Sequence, residues 1–158
     1  MVCLGNICRS PLAEAILQDK AFKAGLTWTV ESAGTGTWHI DQPPHHLSRK
    51  VAALNGIDIG RQICRQFRKE DMLDYDLIYV MDENNYFDIK TMSRELWNEN
   101  KVEFLLNELH PGQNRSVPDP YSGTEADYHE VYKIIEEACD KIIKKYSIHN
   151  IQHTSRTE

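Results

Sequence analysis

The chain has 158 residues, the length of one domain. Its formal charge of −6, from 18 Lys and Arg against 24 Asp and Glu, argues against a nucleic-acid binder, whose footprint is a basic patch. No run approaches the ~18 apolar residues of a membrane span, no basic-then-apolar leader opens the chain, and four cysteines without such a leader point to a reducing cytoplasm.

In chain order, Val2 and Cys3 lead into Ser10-Pro11, where a helix carrying Leu12, Ala13, Ile16, Leu17 and Ala21 begins. Ser10 is the expected N-cap, Pro11 the first helical position and Gly25 the exit. Residues 28–30 are β-prone and pass into Ser32-Ala33-Gly34-Thr35-Gly36, expected as a loop. Pro43-Pro44 opens a second helix that ends at Asn55-Gly56, and residues 69–73 form a short third. Residues 76–81 are an apolar run of strand length, as for a strand covered on both faces. Asp82 caps a helix over 83–89, residues 102–106 read as a fourth strand, and 125–146 give the longest helical stripe. Residues 147–158 read as a polar, frayed tail. Strands alternating with helices predict a single α/β domain over 1–146, a four-stranded parallel sheet with helices on both faces in a Rossmann-like three-layer arrangement.

In such sheets ligands bind beyond the carboxyl ends of the strands. The segment from Val2 to Pro11 falls there, and its residue types suit an oxyanion. Gly5 and Asn6 tolerate the left-handed backbone that turns successive N–H groups into an anion nest. The helix opened by Ser10-Pro11 adds its positive dipole end, and Arg9 adds a planar fork for two phosphate oxygens. Cys3 at the loop entrance shares that field, which favours a thiolate, and a thiolate beneath a bound phosphoryl group is an in-line nucleophile. No Gly-Lys-Ser/Thr follows the glycine, so this is not a Walker A loop. Far along the chain, Pro118 and Pro120 stiffen a loop tip that presents Asp119. Cys64 and Cys139 fall on apolar-periodic positions and are expected in the core.

The run V-C-L-G-N-I-C-R-S-P resembles the phosphate loop of the low-molecular-weight protein tyrosine phosphatases. The likeness continues through Ser32-Ala33-Gly34-Thr35, Trp38-His39, Gly56-Ile57, Cys64-Arg65-Gln66, the DLIYVMD run at 76–82 and V-P-D-P-Y at 117–121. The resemblance implies that Cys3 is a nucleophile forming a phosphocysteine. It implies that Arg9 and the amides of Leu4, Gly5, Asn6, Ile7, Cys8 and Ser10 hold the phosphate oxygens, with the Ser10 hydroxyl on the thiolate. Asp119 takes the place of the general acid and base, while Trp38 and Tyr121 take those of the aromatic walls. Cys8 matches the second loop cysteine, which can pair reversibly with the nucleophile under oxidation. The implied substrate is a phosphotyrosine protein or small aryl phosphate, with phosphate or sulfate filling the loop. No metal or cofactor is implied, and the 7 histidines show no ligand spacing. The expected state is a monomer or weak dimer in the cytoplasm.

Three departures from the family pattern stand out. Ser122 follows Tyr121 where many relatives carry a second tyrosine. Gln62 stands where a histidine often supports the loop asparagine, so the support of Asn6 must be rebuilt. Relatives also carry several apolar residues ahead of Val2, which implies a start at a methionine inside the first strand. Two rivals remain: an arsenate reductase of the same fold, which needs a further pair of relay cysteines, and a phosphate-binding module that has lost turnover.

Overall fold

Four short strands, β1 (Val2–Cys3), β2 (Ala33–Gly34), β3 (Ile78–Val80) and β4 (Val102–Phe104), run parallel in the order β2-β1-β3-β4. The structure, a computed structural model, describes the backbone of residues 1–154 and the side chains of 1–147. Val2 pairs with Ala33 on one side and with Val80 on the other, so β1 is the central strand at which the winding reverses.

Helices α1 (Arg9–Lys23), α2 (His46–Leu54), α3 (Asp71–Asp74), α4 (Glu83–Ser93) and α5 (Glu125–Thr154) cover both faces. Successive strand residues point to opposite faces, and the two cores divide accordingly. Cys3 and Tyr79 pack with Leu12 and Ile16 of α1, Val51 of α2 and Ile135 of α5. Val2, Ile78 and Val80 pack with Met72 of α3, Ile89 of α4 and Phe104. The expected fold class is therefore the one observed. Among the described residues no helix is long and apolar enough to cross a membrane.

Several boundaries differ from the sequence reading. Residues 28–30 form no strand, because Gln18 of α1 takes their backbone groups: its Nε2 donates to Trp28 O at 2.9 Å and its Oε1 accepts from Val30 N at 2.9 Å. The second strand instead lies in the expected loop, at Ala33–Gly34. Helix α1 starts at Arg9 with Cys8 as N-cap, so Ser10 is inside the helix and its hydroxyl serves the site. Helix α2 starts at His46, and the His45 Nδ1 accepts from Leu47 N at 3.1 Å. After β4 the chain tightens into a 3₁₀ turn over Leu105–Glu108. Helix α5 runs on to Thr154, well past 146: a helix already docked by its apolar stripe propagates through polar residues one hydrogen bond at a time. Of the expected polar tail, residues 155–158 lie outside the described residues.

At the amino ends of the strands, opposite the loop that follows β1, an open cavity of about 920 Å³ lies between residues 27–33 and 74–79. The Met1 amine sits in it, donating to Glu31 O at 2.9 Å.

Candidate active site

Beyond Cys3 the chain curls round a centre before entering α1, and the curl is held from outside by its carbonyls. Cys3 O accepts from Thr35 N (3.0 Å), Leu4 O from Gly36 N (2.8 Å) and Ile7 O from His45 N (2.8 Å). Asn6 O accepts from Cys64 Sγ (2.6 Å) and Cys8 O from Ser48 Oγ (3.2 Å). Among the described residues all peptide bonds are trans, so each carbonyl drawn outward turns the next residue's N–H to the other side. The N–H groups of Leu4, Gly5, Ile7, Cys8 and Arg9 therefore face the inside of the curl, and the start of α1 adds its dipole.

The left-handed residue the curl needs is Asn6, with φ 55°; Gly5, also expected there, is not left-handed. Gly5 matters for room instead, since a Cβ would lie 3.2 Å from His39 Cδ2. Gly34 is required on the strand side, where a Cβ would lie 2.8 Å from Leu4 O. Asn6 is held by its whole amide. Its Nδ2 donates to Ser10 Oγ (2.8 Å) and Ser32 Oγ (2.9 Å), and its Oδ1 accepts from Arg65 N (3.0 Å). Gln62 takes no part in this; it donates to Pro11 O at 3.1 Å. Support for Asn6 is thus rebuilt from two serines and a main-chain amide.

Cys3 is 3% exposed at the base of the curl. Its sulfur lies 3.0 Å from Ser10 Oγ and 3.3 Å from Asn6 N, two groups that can donate to a thiolate. Arg9 is 2% exposed, and its Nη1 is clamped by Asp82 Oδ2 (2.7 Å) and Val117 O (3.0 Å). Its Nη2 is 3.6 Å from Asp119 Oδ2. Val117 N donates to Met81 O at 2.7 Å, which brings the loop bearing Asp119 to the end of β3. Asp119 is half exposed, with Oδ1 accepting from Tyr121 N at 3.1 Å.

Tyr121 is exposed, flanked by His39 (ring centroids 6.3 Å) and His45 (5.9 Å). Trp38 is exposed too, its ring lying over Gly36, where a Cβ would meet it. The two histidines, to which the sequence reading gave no place at the site beyond the Trp38-His39 motif, are here packing partners of Tyr121. Among the described residues no group of three or more His, Cys, Asp or Glu is placed to hold a metal ion.

The other thiols are all buried and free. Cys8 lies 3.4 Å from Tyr128 OH, and burial pushes its thiol up to about 12. Cys139 is in the core as expected, pushed up by burial to about 12. Cys64 is buried as expected, pushed up to about 11, but it also touches the loop through Asn6 O.

Sequence reasoning missed Asp82 as a site residue. One of its oxygens caps α4 by accepting from Asn85 N at 2.8 Å, as expected, while the other clamps Arg9. The capping pattern concealed the second role.

A curl of inward-facing amides with a thiol at its base lies at the switch point of a doubly wound parallel sheet, the place where such folds bind their ligands. The family model for low molecular weight phosphotyrosine protein phosphatase matches residues 1–153, and the chain belongs to that family. It is 37% identical over 144 residues to a low molecular weight protein-tyrosine-phosphatase of Bacillus subtilis, YfkJ, with 90% of each chain covered. The crystal structure of YfkJ aligns with a TM-score of 0.85 at 35% identity, covering 94% of this chain and 92% of that one. Vibrio vulnificus Wzb in complex with benzylphosphonate aligns at 0.81 and 28% identity, over 91% and 94%. An Entamoeba histolytica protein tyrosine phosphatase with Hepes in the active site aligns at 0.85 and 33% identity, over 94% and 96%. The protein is a protein-tyrosine-phosphatase of the low molecular weight class.

Proposed function

We propose that this phosphatase hydrolyses aryl phosphomonoesters, phosphotyrosine among them, in two transfers through Cys3. The observation that carries the reading is the Cys3 sulfur at the base of the curl, with Ser10, Asn6 N and the clamped Arg9 around it. The phosphate dianion takes the inward amides and the Arg9 fork, which are local positive groups within an acidic chain. The thiolate attacks phosphorus in line, the P–O bond to the phenol breaks, and Asp119 gives its proton to the leaving oxygen. Asp119, now a carboxylate, takes a proton from water, whose oxygen attacks the phosphocysteine; the S–P bond breaks and inorganic phosphate leaves. Ser10 steadies the thiolate in both steps. Trp38 and Tyr121 flank the mouth as exposed aromatic surfaces for a flat phenyl ring.

The substrate class is a phosphotyrosine protein or a small aryl phosphate, acted on by a monomer or weak dimer without a cofactor. Four free thiols support a reducing, cytoplasmic setting. A Cys3–Cys8 disulfide under oxidation would require the Cys8 sulfur to leave Tyr128. The arsenate reductase reading is disfavoured because its relay cysteines would have to be Cys64 and Cys139, and both are buried. Hydrolysis of a simple aryl phosphate by the parent chain, with Cys3→Ser as control, tests the proposal. Turnover surviving in Cys3→Ser would refute it, and binding without turnover in the parent would favour the binding module.

A further inference from the structure

The hydrogen bonds that hold the loop do not stop at Asn6. Ser10 and Glu14 stand one turn apart on α1 and share a face, which looks onto Ser32 at the entry to β2. Ser32 Oγ donates to Glu14 Oε2 at 2.5 Å and accepts from Asn6 Nδ2 at 2.9 Å. Asn6 Nδ2 gives its other hydrogen to Ser10 Oγ at 2.8 Å. An ionised carboxylate can only accept and an amide nitrogen can only donate, so the polarity of every link is fixed. Ser32 commits its one hydrogen to Glu14 and shows Asn6 a lone pair. Ser10 receives from Asn6, and its own hydrogen remains for the Cys3 sulfur at 3.0 Å, with Ala33 O a more distant competitor at 3.4 Å.

We propose that Glu14 is a positioning residue for the phosphatase reaction, acting through Ser32, Asn6 and Ser10 to aim the Ser10 hydroxyl at the Cys3 thiolate. The inference rests on Cys3 being the nucleophile. Glu14 is half-buried and faces Ser32, the Met1 amine, Glu31 and Arg65. Burial pushes its carboxyl above the usual range, against the pull of the Ser32 hydroxyl. A folded-state value raised above the unfolded one means that the folded chain favours the neutral group, so ionised Glu14 costs stability as pH rises through that value. A carboxylate that served only the fold would be replaced by a neutral amide at a loss. A carboxylate that aims the relay would be replaced at no loss of stability but with a loss of rate.

The test pairs Glu14→Gln, which adds a donor at the same place, with Ser32→Ala, which cuts the chain. For each variant, thermal unfolding, kcat and KM on an aryl phosphate, and the pH profile of Cys3 alkylation by iodoacetate are measured. Glu14→Gln is expected to keep or raise the melting temperature. Both variants are expected to lower kcat by about three- to tenfold with KM little changed, as for loss of one hydrogen bond to a charged group felt at a distance. The alkylation profile moves to higher pH, and the double variant is no worse than the single ones. Parental kcat and an unmoved alkylation profile in both variants would overturn the proposal, as would a Glu14→Gln chain that fails to fold. A parent chain that hydrolyses no aryl phosphate would instead overturn the catalytic reading, and the alkylation profile would still judge the relay.

Discussion

Replacing Asp82 by Asn removes one negative charge from the clamp on Arg9 and nearly nothing else. The amide oxygen can still cap α4, so the bond from Asn85 N at 2.8 Å survives. What is lost is the ion pair at 2.7 Å to a guanidinium only 3% exposed. Removing one partner of a buried pair costs roughly 3–5 kcal/mol, but the Asp82 side chain is 20% exposed, and Arg9 keeps Val117 O and Asp119. The expected cost is therefore ~2–3 kcal/mol, the range of a charge-assisted hydrogen bond. Urea unfolding in phosphate-free buffer is the assay, with an unchanged slope as the check that the unfolded state is the same. Inorganic phosphate should then restore more stability to the variant than to the parent, because a dianion in the curl supplies the charge that Arg9 has lost. A cost below ~0.5 kcal/mol, or a cost that phosphate leaves untouched, would refute the claim that Asp82 balances and aims Arg9.

Two further outcomes are expected. Asp119→Ala should lower turnover of an unactivated phenyl ester by ~10²–10⁴ and that of an ester with a strongly acidic phenol far less, because only the poor leaving group needs a proton; equal losses on both would remove Asp119 from the acid role. Iodoacetamide at neutral pH should add to one thiol, Cys3, since burial pushes Cys8 to about 12, Cys64 to about 11 and Cys139 to about 12; intact mass showing two or more adducts on the folded chain would contradict this.

What could be read from the sequence was what periodicity and motif chemistry encode. The apolar run at 76–81 and the stripe of α5 declare themselves because their burial is set by their own residues. The strand at Ala33–Gly34 does not, since two small residues become a strand only because β1 lies beside them and the loop approaches Gly34 too closely for a side chain. Residues 28–30 have strand propensity, but a glutamine on α1 captures their backbone first. At the site, Cys3 and Arg9 were legible as residue types in a spacing and Asp119 through the family resemblance; the structure puts the Cys3 sulfur beside Ser10 Oγ and Asp119 Oδ2 3.6 Å from Arg9 Nη2. Of their supports, the Ser10 hydroxyl was expected on the thiolate through the family resemblance, but Asp82 has the signature of a helix cap and Glu14 that of an ordinary helix glutamate. Each acquires its further role through a partner far away in sequence, such as Arg9 for Asp82 and Ser32 for Glu14. Local pattern cannot show such a partner.

The most direct test of the account is to quench the reaction with an aryl phosphate at short times and map the phosphoryl group by mass spectrometry. The expected result is one phosphoryl group on Cys3, enriched in Asp119→Ala, whose second step lacks its base, and absent from Cys3→Ser, which should not turn over. Turnover by Cys3→Ser, or a phosphoryl group trapped on any other residue of an active chain, would contradict it.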